Sequence, residues 1–375
     1  MRFTHATPEA TYGFAKRFSH YKDFYARHNG LIFSKLGFGT FKKEPYKEEN
    51  YTFDYKDALK SAIQGGVNVI DTAINYRYQQ SEREIGEVLE ELFDKGDVKR
   101  EELIICSKGG FVPLDFPFPE NPYAWIHEHI IQKGLASPEE IELDQHCMSP
   151  AFLQDSLERS LKNLHVKCLD IYFLHNPETQ LTKIGYDQFL KKLEEIFACF
   201  ETMVSEGKIK AYGLAVWNAF TYEEGNSEYI RLEDVYDVAC RVGGANHHFK
   251  YIQLPFNIAK THAYSVPNQK MRDGNYYTPL QVAHKLGLGV MSSTSLLQMH
   301  LFQKPFKPEI GFLLDSKMEL QSDVQLALQF VRSTRGIVTS LFSSSKSEHV
   351  RSNLGIATIN ATNSAKYNLL YKVER

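Results

Sequence analysis

Three of the first four long extended runs in the chain end in an ionisable side chain: Asp71 after NVI, Lys108 after LIICS and His175 after LDIYFL. Tyr76 follows Asp71 by five residues. A carboxylate, an ammonium, an imidazole and a phenol all hold and pass protons, so the set points to acid–base chemistry. Each has an ordinary alternative: Asp71 as a turn or helix cap, Tyr76 as loop packing, Lys108 as a solvated strand end, His175 as a satisfied histidine before Asn-Pro. Their recurrence at matching strand ends favours the chemical reading, because in a parallel barrel all such ends converge around one opening.

The elements that must bring these residues together are visible as eight short apolar runs. They are LGFGT at 36, NVID at 68, LIICSK at 103, LDIYFLH at 169, IKAYGLAV at 209, YIQLPF at 251, LGVMSS at 288 and GIVTSLF at 336. Between them lie segments with helical apolar spacing, among them YKDALKSAIQGG, SEREIGEVLEELF, FLQDSLERSLKNL, LKKLEEIFACFETMVSEGK and VQLALQFVRSTR. Near-continuous apolar strands alternating with helices predict an α/β protein with a parallel sheet, and eight such units predict a closed (β/α)8 TIM barrel. Ser81 and Glu84 form an S-x-x-E pattern that predicts a capping box, and Gly207 and Gly287 are placed to end helices. A proline- and aromatic-rich stretch at 109–150 separates the third strand from its helix. Leaving a strand's C-terminal end, it is expected to fold over the active-site mouth. A shorter insertion, THAYSVPNQKMRDGNYYT, follows the sixth strand. The expected organisation is a surface extension over 1–30 and a single barrel domain with long active-site loops over 31–375.

Composition narrows the function classes. A hydrophobic content of 43% implies a real core, and a net charge of -3 offers no field to draw nucleic acid or an anionic membrane. The N-terminus carries no apolar run of the signal type, and nowhere do eighteen apolar residues follow one another, so a soluble, cytoplasmic protein is expected. Cys106, Cys147, Cys168, Cys199 and Cys240 lack any C-x-x-C spacing and read as reduced thiols, several in the core, rather than a zinc site. HEH at 127–129 and HH at 247–248 read as loop histidines, so no metal is expected. LGFGTF and GLG lack the third glycine of a Rossmann fingerprint, and no Walker loop is present.

The motifs DTAINY (71–76), SEREIG (81–86), SK (107–108), LDIYFLHNPE (169–178) and GLAVWN (213–218) resemble those of the aldo-keto reductases, in order and over roughly residues 30–360. The resemblance implies that Tyr76 is the proton donor, with Lys108, Asp71 and His175 as its catalytic partners. The chemistry suits these residue types. Hydride delivery to a carbonyl leaves negative charge on oxygen, and a phenol of pKa ~10 donates poorly at neutral pH unless its anion is stabilised. A lysine ammonium does that, an ionised Asp71 keeps the ammonium charged, and His175 would orient the carbonyl oxygen.

The same resemblance implies a nicotinamide cofactor, NADP(H) slightly preferred and NAD(H) possible. Its carboxamide would lie near Asn218 and Gln253, with Gly39, Thr40 and Asp71 at the strand ends and Ser292 below the ring. Ser343, Ser344, Ser345, His349 and Asn353, in SLFSSSKSEHVRSNLG, would hold the adenosine phosphate at a helix N-terminus. Two departures stand out: Trp217 replaces the family's usual serine, and Ser292 stands where many members have a ring-stacking tyrosine. The usual lysine and arginine of NADP-preferring members are missing, leaving Lys346 or Arg351 to clamp a 2′-phosphate. Trp125 and Trp217, beside Tyr76 and His175, are the expected contacts of a small carbonyl or alcohol substrate, and Tyr123 and Phe118 are further candidates. The alternative is a nucleotide-binding regulatory or partner subunit with the same fold and little turnover. A monomer is the commoner behaviour in the family the chain resembles.

Overall fold

The computed structural model describes residues 4–42, 54–143, 145–315, 317 and 319–372. All eight predicted runs are strands: β1 (Leu36–Gly39), β2 (Val69–Asp71), β3 (Ile104–Gly109), β4 (Leu169–His175), β5 (Ile209–Ala215), β6 (Phe249–Pro255), β7 (Gly289–Ser293) and β8 (Ile337–Phe342). They pair in parallel in chain order, and β8 closes onto β1 to complete the barrel. The covering helices are α1 (Lys56–Gln64), α2 (Gln80–Asp94), α3 (Pro150–Asn163), α4 (Tyr186–Ser205), α5 (Leu232–Gly243), α6 (Pro279–Lys285), α7 (Asp323–Arg332) and α8 (Ser347–Leu354). Among the described residues no helix is long and apolar enough to cross a membrane.

Strand alternation builds two cores. Ile70, Ile105, Tyr172, Leu174, Leu214 and Ile252 pack outward against the helices, whereas Val69, Ile104, Cys106, Ile171, Phe173 and Tyr251 fill the barrel. Following the inward rows toward the C-terminal ends, two residues at a time, gives Asp71 after Val69, Lys108 after Cys106, His175 after Phe173 and Gln253 after Tyr251. The polar site is therefore the top layer of the same stack whose lower layers are apolar.

Helix ends agree with expectation at Gly207 and Gly287, whose φ values of +75° and +71° follow α4 and α6. The capping box is not formed. Arg77, Tyr78 and Gln79 are left-handed, so the chain enters α2 through Gln79 and Ser81 already lies inside the helix, donating to the Thr40 carbonyl at 3.1 Å. Glu84 instead binds Arg77.

The described residues of the expected surface extension, 4–30, pack at the barrel floor. A helix (Pro8–Lys16) leads into an antiparallel hairpin, Tyr25–His28 with Leu31–Ser34, so the expected boundary at 30/31 falls in the hairpin turn. An eight-stranded barrel exposes its lowest apolar layer at the N-terminal end; here Phe33 and Ala6 enter that layer. Asp170 fastens the joint. Its carboxylate accepts from the Ala6 and Ile105 amides, at 2.7 and 2.8 Å, and from the buried Arg100 guanidinium at 2.9 Å. Phe33→Ala is expected to lower unfolding free energy by about 3–5 kcal/mol. Tyr12→Ala on the neighbouring exposed helix face should cost under about 0.5 kcal/mol, both read from urea titrations.

Candidate active site

Lys108, fully enclosed at the top of β3, is the centre of the site. Its Nζ lies 2.6 Å from Asp71 Oδ2, 2.7 Å from the Thr72 carbonyl and 3.4 Å from the Tyr76 hydroxyl. Gln253, reaching from β6 across the barrel, donates to the other Asp71 oxygen at 2.8 Å. The Tyr76 and His175 rings meet edge to face, 5.8 Å between centroids. The structure thus brings together all four residues singled out at the strand ends and in the loop after Asp71.

Tyr76 sits on a loop, and the loop is anchored. Arg77 makes two bonds to Glu84, at 2.6 and 2.9 Å, and Gln79 donates to the Pro113 carbonyl and to Asp115. His175 is held from behind: Phe111 packs edge-on against its ring at 4.9 Å, and His146 lies 2.7 Å from its carbonyl. Gly110, at φ +142°, makes room for that contact, since a Cβ there would lie 2.8 Å from the His175 carbonyl oxygen and 3.0 Å from His146 Nε2.

Burial sets the protonation states. Desolvation, with the Lys108 charge and His146 nearby, holds the His175 imidazole well below its usual range, so it is neutral. His146 falls to about 4, chiefly through burial. Burial would discharge Lys108, but the Asp71 charge, Tyr76 and the hydrogen bonds to both carry it above its usual value. Tyr76 is raised by burial; Lys108 opposes this by charge and hydrogen bond, and Asp71 adds to it.

A cleft of about 740 Å³ opens above these residues. Gly39, Thr40 and Asp71 line it on one side, Leu341, Phe342 and Ser343 at one end, and Trp217 with Glu178 and Glu228 at the other side.

The sequence profile described as Aldo/keto reductase family matches residues 35–373. The chain belongs to that family. It is 28% identical over 197 residues to an aldo-keto reductase of family 4 from Arabidopsis thaliana, covering 51% of this chain and 48% of the relative. It is 26% identical over 207 residues to glycerol 2-dehydrogenase (NADP(+)) of Hypocrea jecorina, covering 52% of each. The chain spans about half the length of the curated relatives it matches. Its fold is similar to that of an aldo/keto reductase from Klebsiella pneumoniae solved with NADP and acetate, at a TM-score of 0.59 and 20% identity over 94% of this chain and 95% of that one.

Several of the residues expected to hold the cofactor do not line the cleft. Asn218 does not line the cleft, because the chain turns tightly at 218–222 and its amide faces the Tyr222 hydroxyl at 3.4 Å. Trp217 takes the wall position instead, half-exposed with Lys260 over its ring. Ser292 is fully buried, its hydroxyl near that of Ser295; alternation along β7 puts Ser293, one residue later, on the cleft. Of the phosphate-segment residues Ser343 lines the cleft, Ser344 bonds the Lys346 amide, Ser345 and His349 are exposed, and Asn353 is buried in α8.

Among its described residues the 109–150 insertion reaches the cleft with Phe111 and Gln145, near its two ends. Trp125 is not a cleft residue: it stacks on His129 and packs against the core, and Tyr123 and Phe118 also lie off the cleft. His248 pairs with Glu201, and His247 packs on Tyr236. Cys106, Cys147 and Cys168 are buried, and none of the five cysteines is in a disulfide.

Sequence reasoning missed the wall residues Asn75, Phe111, Glu178 and Glu228, and His146 behind His175. Asn75 adjoins Tyr76, Phe111 and His146 lie in the long insertion, and Glu178 stands three residues beyond β4, which is the signal that could have found them. Glu178 is buried, and its Oε1 accepts from the Trp217 amide at 2.5 Å. Burial foremost, and Glu228, push its carboxyl up to about 7 against the Trp217 amide bond.

Lys108→Met leaves Asp71 buried without its cation and is expected to cost about 3–5 kcal/mol, with Asp71→Leu/Lys108→Met recovering most of the loss in the same urea assay. Glu178 gives a pH test. Because its folded-state pKa is raised, the folded protein holds the proton more tightly, and stability falls as pH rises from about 4.5 through about 7. Thermal unfolding should therefore show Glu178→Gln gaining on the wild type across that window, by up to about 3 kcal/mol at about 1.4 per pKa unit.

Proposed function

We propose that the chain is an NAD(P)(H)-dependent oxidoreductase that moves hydride between the nicotinamide and a carbonyl or secondary alcohol, an aldehyde, ketone or sugar, with Tyr76 as general acid and base. The observation that carries this is the Tyr76 hydroxyl 3.4 Å from an ammonium that Asp71 keeps charged, beside a neutral His175. The bound cofactor supplies or receives the hydride. The rest is done by the chain. As negative charge grows on the substrate oxygen, the Tyr76 hydroxyl donates to it, and Lys108 steadies the tyrosinate that remains. The neutral imidazole of His175 offers an N–H to the same oxygen. For alcohol oxidation the proton runs the other way, with tyrosinate as base.

A dinucleotide fits the residues present. The cleft runs from the tetrad past Gly39, Thr40 and Ser293 to Ser343, and Thr294 Oγ1 on its wall is buried without a partner among the described residues. Gln253, whose amide binds Asp71, is placed to share that amide with a carboxamide. NADP(H) is slightly preferred over NAD(H). Supporting this are the exposed Lys346 and Arg351 on the α8 segment, the NADP of the Klebsiella neighbour and the NADP(+) of the Hypocrea relative. The protein acts on a small molecule, in the cytoplasm.

The test follows NADPH, and separately NADH, by absorbance against a panel of aldehydes and ketones, with nucleotide titration by fluorescence. Wild type is expected to turn over, and Tyr76→Phe to bind nucleotide while losing about 10²–10⁴-fold in kcat. Tight nucleotide binding with no carbonyl reduced and no alcohol oxidised would establish the regulatory-subunit alternative. Failure to bind either nucleotide would end the reductase reading.

A further inference from the structure

Three residues beyond His175, Glu178 opens a short helix (Glu178–Ile184) behind Pro177, and its side chain forms part of the cleft wall. The proposed reaction has no use for it. One of its oxygens is fixed by the Trp217 amide at 2.5 Å; the other, Oε2, is buried and has no hydrogen-bond partner among the described residues. Buried polar atoms are nearly always partnered, so a carboxyl pinned by one oxygen with the other left open is arranged for something that arrives. A second such atom lies in the same cleft: Asn75 Oδ1, beside Tyr76, is also buried and without a partner among the described residues.

We infer that Glu178 is a specificity-determining residue that binds a hydroxyl group of a neutral, polyhydroxylated carbonyl substrate, with Asn75 receiving a second hydroxyl. This rests on the carbonyl-reducing reading of the site and names its substrate class. The choice of ligand follows from donor and acceptor counts. Burial and the neighbouring Glu228 push the Glu178 carboxyl up to about 7, which brings both its neutral and its charged form into the neutral range. A hydroxyl is both donor and acceptor, so it satisfies Oε2 in either state. A methylene in its place leaves Oε2 unpaired, and a site built to bond a hydroxyl discriminates strongly against the analogue that lacks it. A phosphorylated or carboxylated substrate would set its anion against Glu178 and Glu228 together, and is disfavoured by like charge. Asn75 Oδ1 is acceptor only, which a hydroxyl also meets.

The experiment compares kcat/KM for glyceraldehyde and for propanal, the same three-carbon aldehyde without hydroxyls, using full-length protein and NADPH. Wild type is expected to prefer glyceraldehyde. Glu178→Leu should lower kcat/KM for glyceraldehyde by about tenfold or more, chiefly through KM, with a clearly smaller loss on propanal. Glu178→Gln, which still accepts from the Trp217 amide and offers an N–H, should recover most of the glyceraldehyde activity. Glu178→Met is made alongside in case leucine impairs folding. An equal loss on both aldehydes would make Glu178 a prop for the Trp217 loop and overturn the inference, as would a wild type that reduces propanal as well as glyceraldehyde; in both cases carbonyl reduction stands. A wild type that reduces neither these nor any other panel carbonyl overturns both readings.

Discussion

A lysine ammonium enclosed in a protein needs an anion in contact, and the top of this barrel is organised around the pair that meets that need. Lys108 and Asp71 are 1% and 3% exposed and 2.6 Å apart. Such a pair is a weak source of stability, since each ion loses its hydration and an apolar pair of similar volume can serve as well. What it secures is a fixed positive charge beside a phenol. The geometry depends on closure of the barrel: Asp71 pairs in register with Cys106 on β3, so Lys108, two residues further along the inward row, reaches back to it, while Gln253 spans from β6 to the second oxygen. Only a barrel narrow enough to be filled by side chains lets strands so far apart share one carboxylate.

Tyr76 belongs to no strand, and its position has to be imposed. Three successive left-handed residues after it, Arg77, Tyr78 and Gln79, are a conformation that non-glycine residues adopt at a cost of order 1–3 kcal/mol each when strained. The Arg77–Glu84 bonds and the Gln79 contacts to Pro113 and Asp115 over-determine it. The long insertion after β3 therefore acts mostly from the side. It braces the tyrosine loop through Asp115 and backs His175 through Phe111 and His146.

The strands, the inward rows and the tetrad were legible because each is a local pattern: apolar runs of strand length, period-two alternation, and an ionisable residue where a run stops. Residues whose role depends on how a loop turns were not. Asn218 follows Trp217 in a motif that suggests an amide at the cleft, but the turn at 218–222 is decided by backbone hydrogen bonds that spacing does not reveal. Ser292 and Ser293 differ by one step of the pleat, enough to exchange buried for cleft-facing. Trp125 looked like a pocket aromatic because it lies in a loop leaving the right end of a strand, yet the insertion folds onto the main core, against which Trp125 packs while stacking on His129. Glu84 was misassigned for a related reason: S-x-x-E is a capping signature only if the serine stands at the helix boundary, and left-handed residues moved that boundary upstream.

The protonation pattern ties these parts together. With Lys108 and Asp71 joined as an ion pair, Tyr76 protonated and His175 neutral, the tetrad carries no net charge, so substrate can displace water from it without burying an uncompensated ion. Charge appears only as reaction proceeds, on an oxygen or phenolate already next to Lys108. Were His175 a cation, a second positive charge would compete with Lys108 for Asp71 and favour tyrosinate at rest, removing the proton the proposed reduction requires. What keeps His175 neutral is its enclosure by Phe111 and His146 together with the Lys108 charge. Phe111 and His146 both come from the insertion. A segment that, among its described residues, touches the cleft through Phe111 and Gln145 thus governs the acid–base state of the site, by excluding water from one imidazole.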